Sequence, residues 1–269
     1  MKIIIGKTLL AEVKKWFTGY VHTFKFVDKG IQQNIDLKQD HTLRVCKEIL
    51  NIGEQLGLNE DELRLAEIIA LLHDIGRFEQ ISRYQTFMDS KSVDHAELGI
   101  EILKHFEVLK TFDESIRKLI FCSIKYHSKP SLPVDETETC LFFCKLIRDA
   151  DKLDILNVVT EYYHRKDGEK NGSIVLELPD THGISEGVYR NLMNKSIVNI
   201  ENVTNLNDFK LLQAGWIFDI NFKPTLDTIK QRCYFELIRE VLPESKEIGE
   251  IFDQIHATLK PDTAEGSNK

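Results

Sequence analysis

The stretch from Asp61 to Leu72 is apolar on nearly every side of a helix, with Leu63, Leu65, Ile68, Ile69, Leu71 and Leu72 leaving little polar face. Such a helix needs neighbours all round, so it belongs in the middle of a bundle. The flanking sequence supplies them. Residues 8–27 place Leu9, Leu10, Val13, Phe17, Val21 and Phe24 on one face, and residues 42–56 do the same with Leu43, Val45, Ile49, Ile52 and Leu56. Gly57 ends the second of these and Asn59 caps the central helix. Further helices are expected at 92–109, 113–126, 136–163, 185–196, 206–220, 224–241 and 244–259, about nine or ten in all. Residues 78–92 read as a connection between helices. The segment from Ile174 to Leu178, bounded by Gly172 and Pro179, reads as extended and could serve as a lid. No alternating strands support a parallel sheet, and the expected class is all-α.

Polar residues interrupt these helices in a recurring way. His41, the adjacent His73 and Asp74, His95, His127 and Asp151 each fall in or at the end of an expected helix. An imidazole or carboxylate is costly there without a partner, and a metal ion would be one. Neighbours on a helix point about 100° apart, so His73 and Asp74 can face one ion only near the end of the helix axis or where the last turn is adjusted. Gly76, two positions on, is consistent with such an end. Nitrogen and carboxylate donors suit Mn, Fe, Co, Ni or Zn, and carboxylate suits Mg as well. Separate helices offering inward polar groups are how metal sites are assembled inside bundles.

The ordered pattern of His41, then AEIIALLHDIGR around His73 and Asp74, then RDADKLD around Asp151, resembles the HD domain of metal-dependent phosphohydrolases. The resemblance covers roughly residues 37–160 and implies an HD-domain helical bundle with additional C-terminal helices. It implies a divalent metal held by His41, His73, Asp74 and Asp151. The family's last ligand is the acid of an A-D-x-L segment, here Ala150 to Leu153, which selects Asp151 over Asp149 and Asp154. Two more histidines between the HD pair and the last aspartate resemble the arrangement that holds a second ion. By that likeness Asp74 bridges two ions and His95 and His127 complete the second site. The cyclic-dinucleotide phosphodiesterases of the HD-GYP branch carry a paired His-His and a Gly-Tyr-Pro segment, both missing here, so their substrate is not assigned. The resulting organisation is an N-terminal helical segment over 1–36 packed on the core, the metal-binding core over 37–160, a C-terminal helical extension with the lid segment over 161–260, and a tail over 261–269.

The expected activity is hydrolysis of a phosphate ester, a phosphodiester or a nucleotide, by metal-activated water at a two-metal centre. Alternatives are a single-metal nucleotide phosphomonoesterase and a nucleotide-sensing HD domain without turnover. Developing charge on phosphoryl oxygens calls for cations. Arg77, Lys125, Arg148 and Lys152 lie close in sequence to the expected ligands, and Arg77 and Lys152, with Asp74, are the first choices for catalytic roles. A formal net charge of -8 over 269 residues provides no broad field for long nucleic acid or anionic membrane, so the expected partner is a small phosphorylated substrate. No 18-residue apolar span and no signal-peptide pattern is read, and the expected location is cytoplasmic. The five cysteines are odd in number and read as small apolar core residues; Cys140 and Cys144 are a helical turn apart but have no companion pair at zinc-finger spacing. Gly6-Lys7-Thr8 lacks the earlier glycine of a phosphate-binding loop, and no G-x-S-x-G element occurs.

Overall fold

A computed structural model of the chain describes residues 3–166 and 171–259. The expected tail, 261–269, lies outside the described residues. Among these residues there is no strand, and the protein is all-α. The chain forms two compact units, Met1–Ile155 and Leu156–Lys269.

Seven helices build the first unit and enter the second: α1 (Lys7–Val21), α2 (Lys29–Gln55), α3 (Glu60–Leu72), α4 (Ile75–Tyr84), α5 (His95–His105), α6 (Glu114–Tyr126) and α7 (Glu138–His164). Helix α3 is the central one. Asn59 accepts from the backbone of Asp61 and Glu62 while Glu62 reaches back to Asn59, so a full capping box fixes its start. Leu65, Ile68, Ile69 and Leu72 are wholly buried, each worth about 1.5–3 kcal/mol relative to exposure. They are covered by α1, α2 and α6, while α4 packs on α2 and α5.

Two features of this unit depart from the sequence reading. Helix α2 begins at Lys29, where the Asp28 side chain accepts from Ile31, so His41 sits in mid-helix rather than near a start. The stretch 29–41 is polar and shows little periodicity, which hid it. Residues 75–84 are also helical, where a connection was expected from Phe78 onward. Gly76 therefore does not end a helix. It lies in the first turn of α4 against α5, where a β-carbon would collide with the His95 carbonyl and stand 2.7 Å from the Gly99 nitrogen. Glycine is what lets α5 approach α4 so closely.

The second unit contains α8 (Glu186–Met193), α9 (Leu206–Ala214), α10 (Lys223–Gln231), α11 (Tyr234–Glu240) and α12 (Lys246–Leu259). The single helix expected over 224–241 is two, because Cys233 adopts a left-handed backbone with φ of 53° between them. The expected extended segment at 174–178 begins instead as a 3-10 turn, Gly172–Val175. Helix α12 packs on α8 and on the 3-10 turn Gly215–Asp219, burying Ile248, Ile251, Phe252 and Ile255. No helix among the described residues is long and apolar enough to cross a membrane.

Candidate metal centre

Helix α3 ends at Leu72 and α4 starts at Ile75, so His73 and Asp74 form the joint between two helices. Asp74 stands at the cap of α4 without bonding its backbone, which leaves the carboxylate free to point inward. His127 occupies the equivalent place at the end of α6, His95 opens α5, His41 lies in α2 and Asp151 in α7. All six side chains meet in one place. The four histidines and Asp74 are buried, and Asp151 is 15% exposed.

Each imidazole is held from behind. His73 Nδ1 donates to the Ala70 carbonyl at 2.7 Å and His127 Nδ1 to the Ile124 carbonyl at 2.6 Å, each three residues back on its own helix. His41 Nδ1 meets Asp154 Oδ2 at 2.7 Å, and His95 Nδ1 meets Asp89 Oδ2 at 2.7 Å. A carbonyl or carboxylate accepts, so Nδ1 carries the hydrogen and Nε2 keeps a lone pair. All four Nε2 atoms turn to the centre.

Asp74 divides them into two sets. Its Oδ2 lies 3.6 Å from His41 Nε2 and 3.7 Å from His73 Nε2, while its Oδ1 lies 3.4 Å from His95 Nε2 and 3.6 Å from His127 Nε2. Asp151 Oδ1 joins the first set, 3.1 Å from His41 Nε2 and 3.6 Å from His73 Nε2. None of these approaches is a hydrogen bond: His41 Nε2, His73 Nε2, Asp74 Oδ1 and Asp151 Oδ1 are all buried without a partner. His95 Nε2 and His127 Nε2 face each other across 3.1 Å. Two bare lone pairs at that distance repel unless a cation lies between them. A cluster made almost wholly of acceptors, buried and unsatisfied, fits a divalent ion and fits little else.

The two central carboxyls are held ionised, the form that ligates a metal ion. Burial works against the charge of Asp74, yet Lys38, His73, His127 and Arg77 overcome it and hold the carboxyl well below the usual range. Burial likewise opposes the charge of Asp151, and His41 and His73 outweigh it and lower the carboxyl. Burial and the neighbouring Arg77 push His95 down to about 4, so its imidazole is neutral at neutral pH, the form that ligates metal. His73 is raised despite its burial, because Asp74 and Asp151 call for positive charge beside them.

The surroundings contain residues the sequence reading did not select. Lys38, one turn before His41 on α2, places Nζ 2.7 Å from Asp74 Oδ2. Its spacing of three from His41 was the available signal, but the polar start of α2 concealed the helix. Asp154 is gripped by Arg44 through Nε at 2.6 Å and Nη2 at 3.1 Å, and its spacing of three from Asp151 marks it as a neighbour on one helical face. Asp89 had no local signal at all. Arg77 Nη1 donates to Gln80 Oε1 at 2.7 Å, to the Phe87 carbonyl at 2.7 Å and to Asp89 Oδ1 at 2.9 Å, while its Nε lies 3.5 Å from Asp74 Oδ1. Lys38 and Arg77 both stand over the Phe87 ring. Lys152 is buried one residue from Asp151 on α7. Arg148 instead donates to the carbonyls of Tyr126 and Lys129, closing the end of α6 behind His127, and Lys125 pairs with Glu97 at 2.8 Å on the surface.

Residues 39–156 match the family model of the HD domain. That segment contains the whole His and Asp cluster together with Asp89 and Asp154. No curated protein and no solved structure matches the chain.

Proposed function

Residues 39–156 are an HD domain of the metal-dependent phosphohydrolase superfamily, and from that premise we propose that the protein hydrolyses a phosphate ester, a phosphodiester or nucleotide, at a two-metal centre. The observation that carries this reading is the division of Asp74, one carboxylate oxygen toward His41 and His73 and the other toward His95 and His127. In this reading His41, His73, Asp151 and Asp74 hold one ion and His95, His127 and Asp74 the other. Divalent ions supply charge that acidifies water at neutral pH and offsets charge on phosphoryl oxygens.

The chain's own groups do the rest. Asp154 and Asp89, together with the Ala70 and Ile124 carbonyls, fix the tautomer and aim of each imidazole, so no reorganisation is needed when the site fills. Lys38 and Arg77 are 16% and 14% exposed, so both can meet a ligand arriving from solvent. A phosphate oxygen can take the place of Asp74 as the partner of the Lys38 ammonium, and the Arg77 guanidinium, anchored through Nη1, presents fixed charge beside it. Phe87 lies beneath both cations and offers an apolar face next to them. A nucleotide brings that same combination, a flat base joined to a phosphate. Phe87, over which both cations stand, is a better platform than the 42% exposed Tyr84.

The test is release of p-nitrophenol from bis-p-nitrophenyl phosphate and from p-nitrophenyl phosphate in Mn²⁺, with metal content measured alongside. Two ions per chain and cleavage of the diester support the reading. Metal-free protein after gentle purification and reconstitution, or no hydrolysis above the Asp74→Ala control, overturns it. A one-metal phosphomonoesterase is the second reading, favoured by the poorer donor set around His95 and His127, and a single ion with monoester preference would select it.

A further inference from the structure

Three of the five cysteines, scattered in sequence, come together away from the His and Asp cluster. Cys122 on α6 and Cys140 and Cys144 on α7 place their sulfurs within 4.8 Å of one another, and Cys122 Sγ lies 3.9 Å from Cys144 Sγ. All three are free thiols. Cys140 and Cys144 are buried and Cys122 is half-buried, so the trio has an inner wall and one side within reach of solvent. From spacing alone Cys140 and Cys144 had no companion. Cys122 is that companion, brought in from another helix.

The spacing separates the possible roles. Bonds of about 2.3 Å to a tetrahedral zinc-like ion set sulfurs about 3.8 Å apart, close to the 3.9 Å found between Cys122 and Cys144. A disulfide needs about 2.05 Å, and would leave the third sulfur unused. One member holds negative charge readily: Cys122 and Cys140 lower the Cys144 thiol against the cost of burial, while Cys122 is pushed up to about 11 and Cys140 is raised. Thiolate is the form that binds metal. The exposed Glu136 hydrogen-bonds with Cys122, and its charge raises Cys144.

We propose that Cys122, Cys140 and Cys144 form a second, structural metal site for a thiophilic divalent ion of the zinc group. It shares no residue with the His and Asp centre, and does not depend on the activity assigned there. Its place in the fold indicates its use. Cys144 precedes Asp151 by seven residues on α7, about 10 Å along the axis, and Cys122 precedes His127 by five on α6. An ion on the three sulfurs therefore pins together the two helices that carry His127 and Asp151.

Cadmium is the probe, because thiolate-to-cadmium charge transfer absorbs in the ultraviolet and nitrogen or oxygen ligation of the same ion does not. Full-length protein, reduced and handled without oxygen, should develop this band and saturate it at one ion per chain. Cys144→Ser and Cys122→Ser should each abolish the saturating band, and the exposed Cys233→Ser should leave it unchanged. Cd²⁺ should also raise the melting temperature of Asp74→Ala protein, in which the His and Asp centre is expected to hold no ion, but not of Asp74→Ala/Cys122→Ser. Cys122 is not fully buried, so its variant reports even if Cys144→Ser fails to fold. Absence of the band in folded, reduced parent protein, persistence of the band in Cys122→Ser, or a native Cys122–Cys144 disulfide would overturn the proposal.

Discussion

The two halves of the His and Asp cluster are built to one plan and finished differently. Each pairs a histidine backed by a carboxylate with a histidine backed by a carbonyl on its own helix: His41 and His73 in one, His95 and His127 in the other. The first half adds Asp151, and its backing acid Asp154 is buried and clamped by Arg44. Among the described residues, no carboxylate besides the shared Asp74 is found toward both Nε2 atoms of the second half, and its backing acid Asp89 sits in a 3-10 turn, 37% exposed. Fewer charges and a looser support make a weaker site with more open coordination positions. Within the proposed function, the first half retains its ion and the second exchanges its ion and receives the substrate.

The variant that breaks the comparison altogether is Asp74→Ala, which removes the carboxylate that both halves share. The expected result is loss of both ions and a fall in ester hydrolysis of at least about a thousandfold, since metal stabilisation of the transition state is worth several kcal/mol. Next come Asp151→Ala and His127→Ala, read by metal analysis. The first should empty the Asp151 half while the second leaves one tightly held ion, and equal losses in both would mean a single shared site. Smaller effects belong to the supports. Asp154→Asn and Asp89→Asn are each expected to weaken metal affinity about 10–100-fold in chelator competition, with Asp154→Asn at the upper end because its acid is buried. A larger effect at Asp89 would reverse the ranking of the halves. Gly76→Ala should act through packing alone, forcing α5 away from α4 at a cost of about 1–3 kcal/mol in denaturant unfolding, and should loosen the His95 half selectively. An unchanged midpoint would show that the approach of α5 is not set by this glycine.

What was legible in the sequence was local. The unbroken apolar surface of residues 61–72 required a central helix, and the Asn59 cap located its start within one residue. The adjacency of His73 and Asp74 called for a helix end or an adjusted last turn, and α3 and α4 meet there. The two histidines at helix C-termini, His73 and His127, even carry their own supports, because a residue at a helix end reaches the carbonyl three positions back.

The polar start of α2, the helix after Asp74 and the break at Cys233 were not legible. In the first two the apolar spacing is diluted by polar residues, and in the third the break depends on one backbone angle.

By itself the sequence determined the helical class and the central element, and it singled out six residues that the fold brings together. Only the tertiary structure decided which partner stands behind each imidazole, that Lys38 and Phe87 share the mouth with Arg77, that Asp74 divides its two oxygens, and that Cys122 joins Cys140 and Cys144. The physical reason is range. Apolar periodicity and capping act within a few residues, whereas the aim of a lone pair is set by a partner as much as 113 positions away, as with His41 and Asp154.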